Sequence, residues 1–390
     1  MMGSLNLAGI PQLHFGPGKV SVLSSILKTY GQRVLLVTGA NSFLSSKYGS
    51  GLVEELQNGF DLVRYSVSME PTPSIIDEAV GKFAPFQCDV VVAIGGGSVL
   101  DSGKAISAML PLNEPVKDYL EGVGTKPRHP GVKIPFIAVP TTSGTGSEAT
   151  KNAVLSELGE KGYKKSLRHN NFVPDVAILD PALTVSCPQS ITASSGMDAF
   201  TQLLESYLST ASNIITDALA VEGLGRVSHS LPKAYTDGSD IEARTDMALA
   251  AYLSGNTLAN AGLGLVHGFA SSIGGFFEIP HGVICSALMP ACNRLTVKKL
   301  RHTHTNDSAL FKYATVGKLF SDHIDKSDDY YIDHLLGLLD EWSRFMNIPQ
   351  LRSGGISSEH FEKIVRATDN KNNPVALGED EMMEVLEQAT

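Results

Sequence analysis

The stretch DVVVAIGGGSVLDSGKAISAML, residues 89–110, runs from an uninterrupted apolar segment through three glycines into a pattern with helical periodicity. A valine-rich run of this kind is typical of a strand in a parallel sheet that is covered on both faces. A helix that starts after such a strand can bind phosphate through free backbone amides, and glycines let a pyrophosphate approach the backbone. The stretch therefore predicts a strand–turn–helix unit whose glycines serve either a nucleotide or a structural turn.

The same alternation of strand and helix patterns extends over the first half of the chain. The predicted strands are RVLLVTG (33–39), DLVRYSV (61–67), DVVVAIGGG (89–97), KIPFIAVPTT (133–142) and DVAILD (175–180). Because helical patterns separate these β-branched runs, we expect a parallel sheet with helices on both faces.

The character of the chain changes after DPALTV (180–185), where long segments with a period near 3.6 residues replace the β-branched runs. The length of 390 residues also exceeds what one ordinary core supports, which suggests two domains. We therefore predict an α/β domain over residues 1–182 and an all-α domain over residues 183–390.

Charge and composition exclude several classes of function. The net charge of −10 argues against a nucleic-acid binder, because phosphate contacts need clustered lysine and arginine. No uncharged apolar run reaches the roughly 18 residues that span a bilayer, and the N-terminus lacks the pattern of a secretory signal. The cysteines form no C-x-x-C pair and lie in no recognised nucleophile motif; they are Cys88, Cys187, Cys285 and Cys292. These patterns predict a cytoplasmic protein without membrane or nucleic-acid partners.

A second loop, VPTTSGTGSE (139–148), also follows a predicted strand. Its hydroxyl groups and glycines suit hydrogen bonds to phosphate and ribose, although serine and threonine also cap structural loops. Two such loops at the carboxyl ends of strands in one sheet favour a nucleotide site. A P-loop phosphotransferase is disfavoured, since five residues instead of four separate Gly97 from Gly103 and Ala105 follows Lys104.

Three polar side chains share one face of a predicted helix, SSGMDAFTQLLESYLS (194–209). Asp198, Gln202 and Glu205 are spaced i, i+4 and i+7, with apolar residues around them. Such a face is usually solvated, but its apolar neighbours predict that it is partly covered.

The stretch GLGLVHGFASSIGGFFEIPHG (262–282) carries two histidines, His267 and His281, and a single charged side chain, Glu278. One such histidine more often satisfies a buried hydrogen bond than binds a ligand, whereas two among glycines leave both interpretations open. If the helices meet, these histidines and Asp198 would form a site of the carboxylate–histidine type that suits zinc or iron(II).

Taken together, these segments resemble the iron-containing (group III) alcohol dehydrogenase family over essentially the whole chain. The resemblance is carried by GGGSVLDSGKA, by PTTSGTGSE, by GMDAF followed by Glu205, and by His267 and His281 with 13 residues between them. It implies the dehydroquinate synthase-like fold, with an N-terminal dinucleotide-binding α/β domain and a C-terminal helical domain that binds metal and substrate. It also implies a homodimer that transfers hydride reversibly between a primary or secondary alcohol and its carbonyl, with NAD(P) and Fe²⁺ or Zn²⁺.

The resemblance assigns roles to individual residues. Asp198, His267 and His281 match three family metal ligands and form the expected catalytic centre, while Gln202 stands where the family usually has a histidine ligand. Many members also have a histidine at the position of Ser271. Because an amide oxygen is a weaker ligand than imidazole for late transition metals, we expect Gln202 to ligate weakly, hold a water or shape the pocket. The expected cofactor-binding residues are Gly39, Ser42, Gly96, Gly97, Ser98, Asp101, Thr141, Thr142, Thr145 and Lys165.

The end of the second predicted strand bears on the choice of cofactor. Gly39, Asn41 and Ser42 occupy the place where a carboxylate would bind the adenosine ribose and repel a 2′-phosphate. We therefore favour NADP(H) over NAD(H). Two alternatives stay open, a glycerol or other polyol dehydrogenase that uses NAD and a nucleotide-binding member without catalysis. The expected walls of the substrate pocket include Phe269, Phe276 and Phe277.

Overall fold

A parallel sheet lies at the centre of the first half of the chain, in a computed structural model that describes residues 7–40 and 43–390. The strands are β1 (Gln12–Phe15), β2 (Arg33–Gly39), β3 (Asp61–Val67), β4 (Val90–Gly95), β5 (Phe136–Pro140), β6 (Asn152–Glu157), β7 (Tyr163–Arg168) and β8 (Val176–Leu179). Six of them form the parallel sheet in the order β1-β8-β5-β4-β2-β3, and β6 and β7 form a separate antiparallel hairpin. The five predicted strands are therefore all present.

The described residues also form a series of α-helices that surround the sheet and then make up the second half. They are α1 (Leu23–Leu27), α2 (Gly49–Gly59), α3 (Pro73–Phe83), α4 (Gly97–Met109), α5 (Gln189–Leu208), α6 (Ile214–Thr236), α7 (Ile241–Ala261), α8 (Leu265–Phe276), α9 (His281–Thr303), α10 (Asp307–Leu319), α11 (Asp328–Phe345), α12 (Ser358–Ala367) and α13 (Glu379–Ala389). Among them, none combines the length and hydropathy that crossing a bilayer demands.

The central strand β4 explains why its sequence is apolar throughout. Val91 and Ala93 pack in the core that includes α3 and α4, whereas Val92 and Ile94 pack in the core that includes α1 and α2. Since successive side chains of a strand point to opposite faces, a strand covered on both faces has no position left for a solvated residue.

The strand order places a switch point between β2 and β4. The chain runs from β2 to its neighbour β3 on one side and then crosses back to β4, the neighbour of β2 on the other side. The connections that leave β2 and β4 therefore run in opposite directions and leave a crevice at the carboxyl ends of these two strands. Ligands of open α/β sheets bind in the crevice at such a point. Gly39 ends β2 and Gly95 ends β4, so both lie at this crevice.

The second half is helical, and its helix α5 is buried along nearly its whole length. Helices α6, α7 and α9 contact α5, and the face that carries Asp198, Gln202 and Glu205 is buried as well. The predicted fold class, an α/β half followed by an all-α half, is confirmed. The chain passes from β8 to α5 between residues 179 and 189, and a domain boundary at residue 182 stays a prediction.

Candidate active site

Three helices bring four potential metal-binding side chains together: Asp198 from α5, His267 from α8, and His281 and Cys285 from α9. One ligand atom of each lies within 4.8 Å of the others. Asp198 Oδ1 is 3.3 Å from His267 Nε2 and 3.8 Å from His281 Nε2. Cys285 Sγ is 3.7 Å from each of these two nitrogens. The sequence alone did not show whether these helices meet, and the structure shows that they do. We call these four residues the ligand cluster.

The electrostatics of the cluster suit a cation. Asp198 Oδ1 is buried and has no hydrogen-bond partner among the described residues. Burial alone would raise the pKa of Asp198, but His281 and His267 outweigh it and lower that pKa. Burial lowers the pKa of His281 to about 4, which leaves the imidazole neutral and able to ligate. A buried carboxylate oxygen without a donor is costly unless a cation meets it, so the residues fit a divalent metal.

Glu205 supports the cluster from behind His267. Its Oε2 accepts a 2.7 Å hydrogen bond from His267 Nδ1, and its Oε1 accepts a 2.7 Å bond from the Val266 amide. A proton fixed on Nδ1 leaves the lone pair of Nε2 directed at the cluster, the arrangement that metal-binding histidines usually have. The i+7 spacing from Asp198 placed Glu205 on the correct helical face, but sequence reasoning gave it no role.

Gln202 does not direct its oxygen into the cluster. Its Oε1 accepts a 2.9 Å hydrogen bond from Ser254 Oγ on α7, and its Nε2 donates to Asp198 Oδ2 at 3.3 Å. Gln202 contacts the carboxylate and lines the cavity, which favours the third of the roles expected for it.

Cys285 takes the fourth place in the cluster, which sequence reasoning missed. It lies one helical turn after His281 on α9, so both side chains point the same way, and this i+4 spacing was the available signal. Burial raises the pKa of the Cys285 thiol to about 11. A thiol with that pKa is inert as a free nucleophile, but a bound cation deprotonates a coordinating thiol.

Two loops at the carboxyl edge of the sheet contact each other. The Thr141 amide donates a 3.0 Å hydrogen bond to the Gly95 carbonyl, and a Cβ on Gly97 would lie 2.7 Å from the Thr145 side chain. Gly96 is the N-cap of α4 and supplies no side-chain cap, so the first amides of this helix stay available to a phosphate. A Cβ on Gly96 would meet Thr142 at 3.4 Å. The arrangement fits the pyrophosphate of a dinucleotide.

Lys104 holds the second loop in place. Its Nζ is fully buried and donates to the Ser147 carbonyl at 2.7 Å, to Thr150 Oγ1 at 2.9 Å and to the Asn152 carbonyl at 2.8 Å. Asp101 accepts hydrogen bonds from Ser147 Oγ and the Val154 amide. The lysine that fails the P-loop spacing therefore has a structural role.

One cavity of about 200 Å³ connects the loops to the ligand cluster. Seven predicted site residues line it, namely Gly97, Ser98, Asp101, Thr145, Gln202, His267 and His281. Gly96, Thr141 and Thr142 lie beside it at the ends of β4 and β5, Gly39 ends β2, and Ser42 is outside the described residues.

Two expectations about the cavity walls need correction. Lys165 is exposed, and the neighbouring Lys164, whose side chain alternates to the other face of β7, lines the cavity in its place. Phe269 is fully buried in the core of α8 and α9, and Phe276 and Phe277 pack against that same core. Among the described residues, no phenylalanine, tyrosine or tryptophan lines the cavity.

Comparison with known proteins agrees with this geometry. A family model described as "Iron-containing alcohol dehydrogenase" matches residues 11–181, and one described as "Fe-containing alcohol dehydrogenase family, C-terminal" matches residues 192–390. The NAD-dependent methanol dehydrogenase of Bacillus methanolicus is 36% identical over 287 residues, which cover 72% of this chain and 73% of that protein. The NADPH-dependent butanol dehydrogenase of Clostridium saccharobutylicum is 30% identical over 388 residues, 96% of this chain and 95% of that protein.

A solved structure extends the likeness to three dimensions. The crystal structure of a 1,3-propanediol oxidoreductase matches with a TM-score of 0.88 and 29% identity, and the match covers 100% of both chains. The two family models, the relatives and this structure together show that the chain belongs to the iron-containing alcohol dehydrogenase family, whose members are oxidoreductases with a divalent metal and a nicotinamide cofactor.

Proposed function

We propose that the protein interconverts a primary or secondary alcohol and its carbonyl compound, with NADP(H) favoured over NAD(H) and with Fe²⁺ or Zn²⁺. The observation that carries this proposal is the Asp198 oxygen between two histidines, which has no hydrogen-bond partner in the described part of the chain, beside a cavity that also reaches the two glycine-rich loops. The proposal includes assembly as a cytoplasmic homodimer, which rests on the family resemblance and on the scattered free cysteines. It also includes the domain boundary near residue 182.

The residues of the ligand cluster would hold the metal. Asp198, His267 and His281 supply three donors, and Cys285 rather than Gln202 supplies the fourth. When bound, the metal would polarise the carbonyl and lower the pKa of the alcohol. Oxygen, nitrogen and sulfur donors in this combination suit zinc or iron(II).

Other residues of this chain position the reactants. Glu205 keeps His267 in the required tautomer, and Gln202 keeps the Asp198 carboxylate oriented. The free amides at Gly96 and Gly97 bind the pyrophosphate, and Lys164 rather than Lys165 approaches the cofactor from β7. The buried position of the cluster keeps bulk water from the reacting carbon.

The proposal is tested with chelator-treated enzyme and a panel of short and aromatic aldehydes, by following NADPH and NADH oxidation with and without added Fe²⁺ or Zn²⁺. We expect no turnover without metal and recovery with one of the two ions. Tight NADPH binding without turnover under every metal condition would contradict the proposal and favour the nucleotide-binding member without catalysis. Turnover confined to polyols with NAD would favour the polyol dehydrogenase.

The cofactor preference has its own test at Gly39, the last residue of β2. Gly39→Asp places a carboxylate where it would accept the ribose hydroxyls and repel a 2′-phosphate. We expect the ratio of kcat/KM for NADPH to kcat/KM for NADH to fall about tenfold or more. Gly39→Asn is the matched control, because it has nearly the same shape without the charge. An equal ratio in the two variants would show that this edge of the sheet does not face the 2′-position.

A further inference from the structure

Part of the cavity wall carries positive charge. Lys164 and Arg168 line the cavity from β7, and Lys371 lines it from the loop between α12 and α13. The apolar lining of this cavity is confined to Pro71, Val154, Leu258 and Leu263 among the described residues. Pockets for uncharged ligands of this size are lined mainly by apolar and aromatic side chains. A plain aliphatic or aromatic alcohol has no group that would pair with the cations of this wall.

Lys371 contacts the backbone of a residue of the ligand cluster. Its Nζ donates a 2.9 Å hydrogen bond to the His267 carbonyl and a 3.3 Å hydrogen bond to Ser271 Oγ. An ammonium group has three N–H donors, so one stays available. Within the described part of the chain, no carboxylate lies within 4.0 Å of this nitrogen, whereas Lys164 is paired with Glu70 at 2.6 Å. Among the described residues, Lys371 is thus a cation at the cavity whose charge has no carboxylate within ion-pair distance.

The backbone holds Lys371 in this place. Its φ of 49° lies in the left-handed region, and its amide donates a 2.9 Å hydrogen bond to Asp369 Oδ1. The next residue, Asn372, donates from its amide to the Leu263 carbonyl at 3.1 Å. A Cβ on Gly268 would lie 2.0 Å from the Asp369 carbonyl oxygen, so the loop packs directly against α8. Tertiary contacts of the loop therefore hold the Lys371 backbone in place, so its side chain starts from a fixed position beside α8.

Arg168 provides a second cation at the rim of the cavity. Its side chain is 42% exposed, and its Nε lies 3.2 Å from Glu121 Oε1, which leaves other guanidinium N–H groups free to bind a ligand. Lys371 and Arg168 line the same cavity, so the two cations share one space. Two like charges in a shared cavity are stabilised by an anion between them.

We propose that the substrate carries an oxyanion, such as a carboxylate or phosphonate, on the short carbon chain that bears its carbonyl, and that Lys371 and Arg168 bind this group. The inference rests on the proposed alcohol dehydrogenase function and names its substrate class. In the reaction, the aldehyde carbon gains a hydride from the reduced cofactor and its oxygen gains a proton, while the anionic group is unchanged. The substrate is thus an oxo acid, and the product is the corresponding hydroxy acid.

The experiment compares succinic semialdehyde with butyraldehyde, an uncharged aldehyde with the same number of carbon atoms. It uses the metal-loaded enzyme and its Lys371→Met variant. We expect wild-type kcat/KM to favour succinic semialdehyde. In Lys371→Met, we expect kcat/KM for succinic semialdehyde to fall about 10- to 100-fold, mainly through KM, which is the range for a hydrogen bond to a charged group. The value for butyraldehyde should change less than about twofold, and Lys371→Arg should restore part of the preference.

Lys161→Met, at the exposed turn between β6 and β7, serves as the control for loss of a positive charge. An equal loss for both aldehydes in Lys371→Met would overturn the proposal, because Lys371 would then only position His267. Weakened NADPH binding with an unchanged preference would also overturn it, since the cation would belong to the cofactor site. Repeating the comparison with phosphonoacetaldehyde distinguishes the two kinds of anion.

A binding measurement separates this proposal from the proposed function. If the metal-loaded wild type reduces no aldehyde, the proposed function fails, and calorimetric titration of the NADPH complex with succinate still tests the anion site. Succinate binding that Lys371→Met abolishes would support the site on its own. Absence of succinate binding to the wild type would refute it.

Discussion

Asp198→Asn is expected to lower kcat about 10³-fold or more and to remove the bound divalent metal. Asp198 is fully buried, and its Oδ1 is the one carboxylate oxygen in the ligand cluster. Asparagine keeps the shape and the contact with Gln202, but it removes the negative charge that neutralises the cation. A bound metal contributes several kcal/mol of charge stabilisation in the transition state, which corresponds to this loss in rate.

The measurement for Asp198→Asn combines metal content after desalting, kcat with the preferred cofactor and thermal unfolding of the metal-free protein. The metal-free variant should unfold within about 1 kcal/mol of the metal-free wild type, because asparagine keeps the volume and the hydrogen bond from Gln202, and the lower cost of burying a neutral group offsets the lost attraction to His267 and His281. Asp61→Asn, an exposed aspartate at the start of β3, controls for the chemistry of the change. A variant that keeps both its metal and its kcat would show that the ligand assignment is wrong.

The sequence predicted the parallel sheet because its strands are encoded locally. A run such as RVLLVTG (33–39) is buried on both faces and therefore reads as continuous apolar sequence. The edge strand β1 has only four residues, and all of them are at least partly exposed, so no such run marks it. In the hairpin, β7 reads YKKSLR, and its cavity face carries Lys164, Ser166 and Arg168 while Leu167 packs in the core, so this largely polar sequence resembles an ordinary loop.

The candidate site was predictable only where spacing along one helix or a family motif carries the information. The motifs indicated Asp198, His267 and His281, and the structure brings them together. Lys371 approaches His267 from 104 residues downstream, a contact that no local pattern encodes. Lys164 shows a different limit. The sequence pointed to Lys165, the next residue of β7, and a shift of one residue along a strand moves the side chain to the opposite face.

Cys285 is where the structure departs most from the expected ligand set, and its replacement by serine has the second largest expected effect. If the thiol is the fourth donor, Cys285→Ser should weaken binding of Zn²⁺ or Co²⁺ about 100-fold. Loss of groups that merely support a ligand already costs 10- to 100-fold, and loss of a donor should reach the upper end of that range or exceed it. Competition with a chelator of known affinity measures this change without any enzyme assay.

The spectrum of the Co²⁺-substituted protein identifies the sulfur donor directly. A thiolate bound to Co²⁺ adds a charge-transfer absorption in the near ultraviolet, which we expect in the wild type and not in Cys285→Ser. Cys292→Ser is the matched control, because Cys292 is equally buried on α9 but lies outside the ligand cluster. Adding Gln202→His to Cys285→Ser should restore part of the metal affinity, since an imidazole at position 202 offers a nitrogen beside Asp198. A wild-type Co²⁺ spectrum without the sulfur band would leave three protein ligands and an open position, the pattern of many catalytic zinc sites.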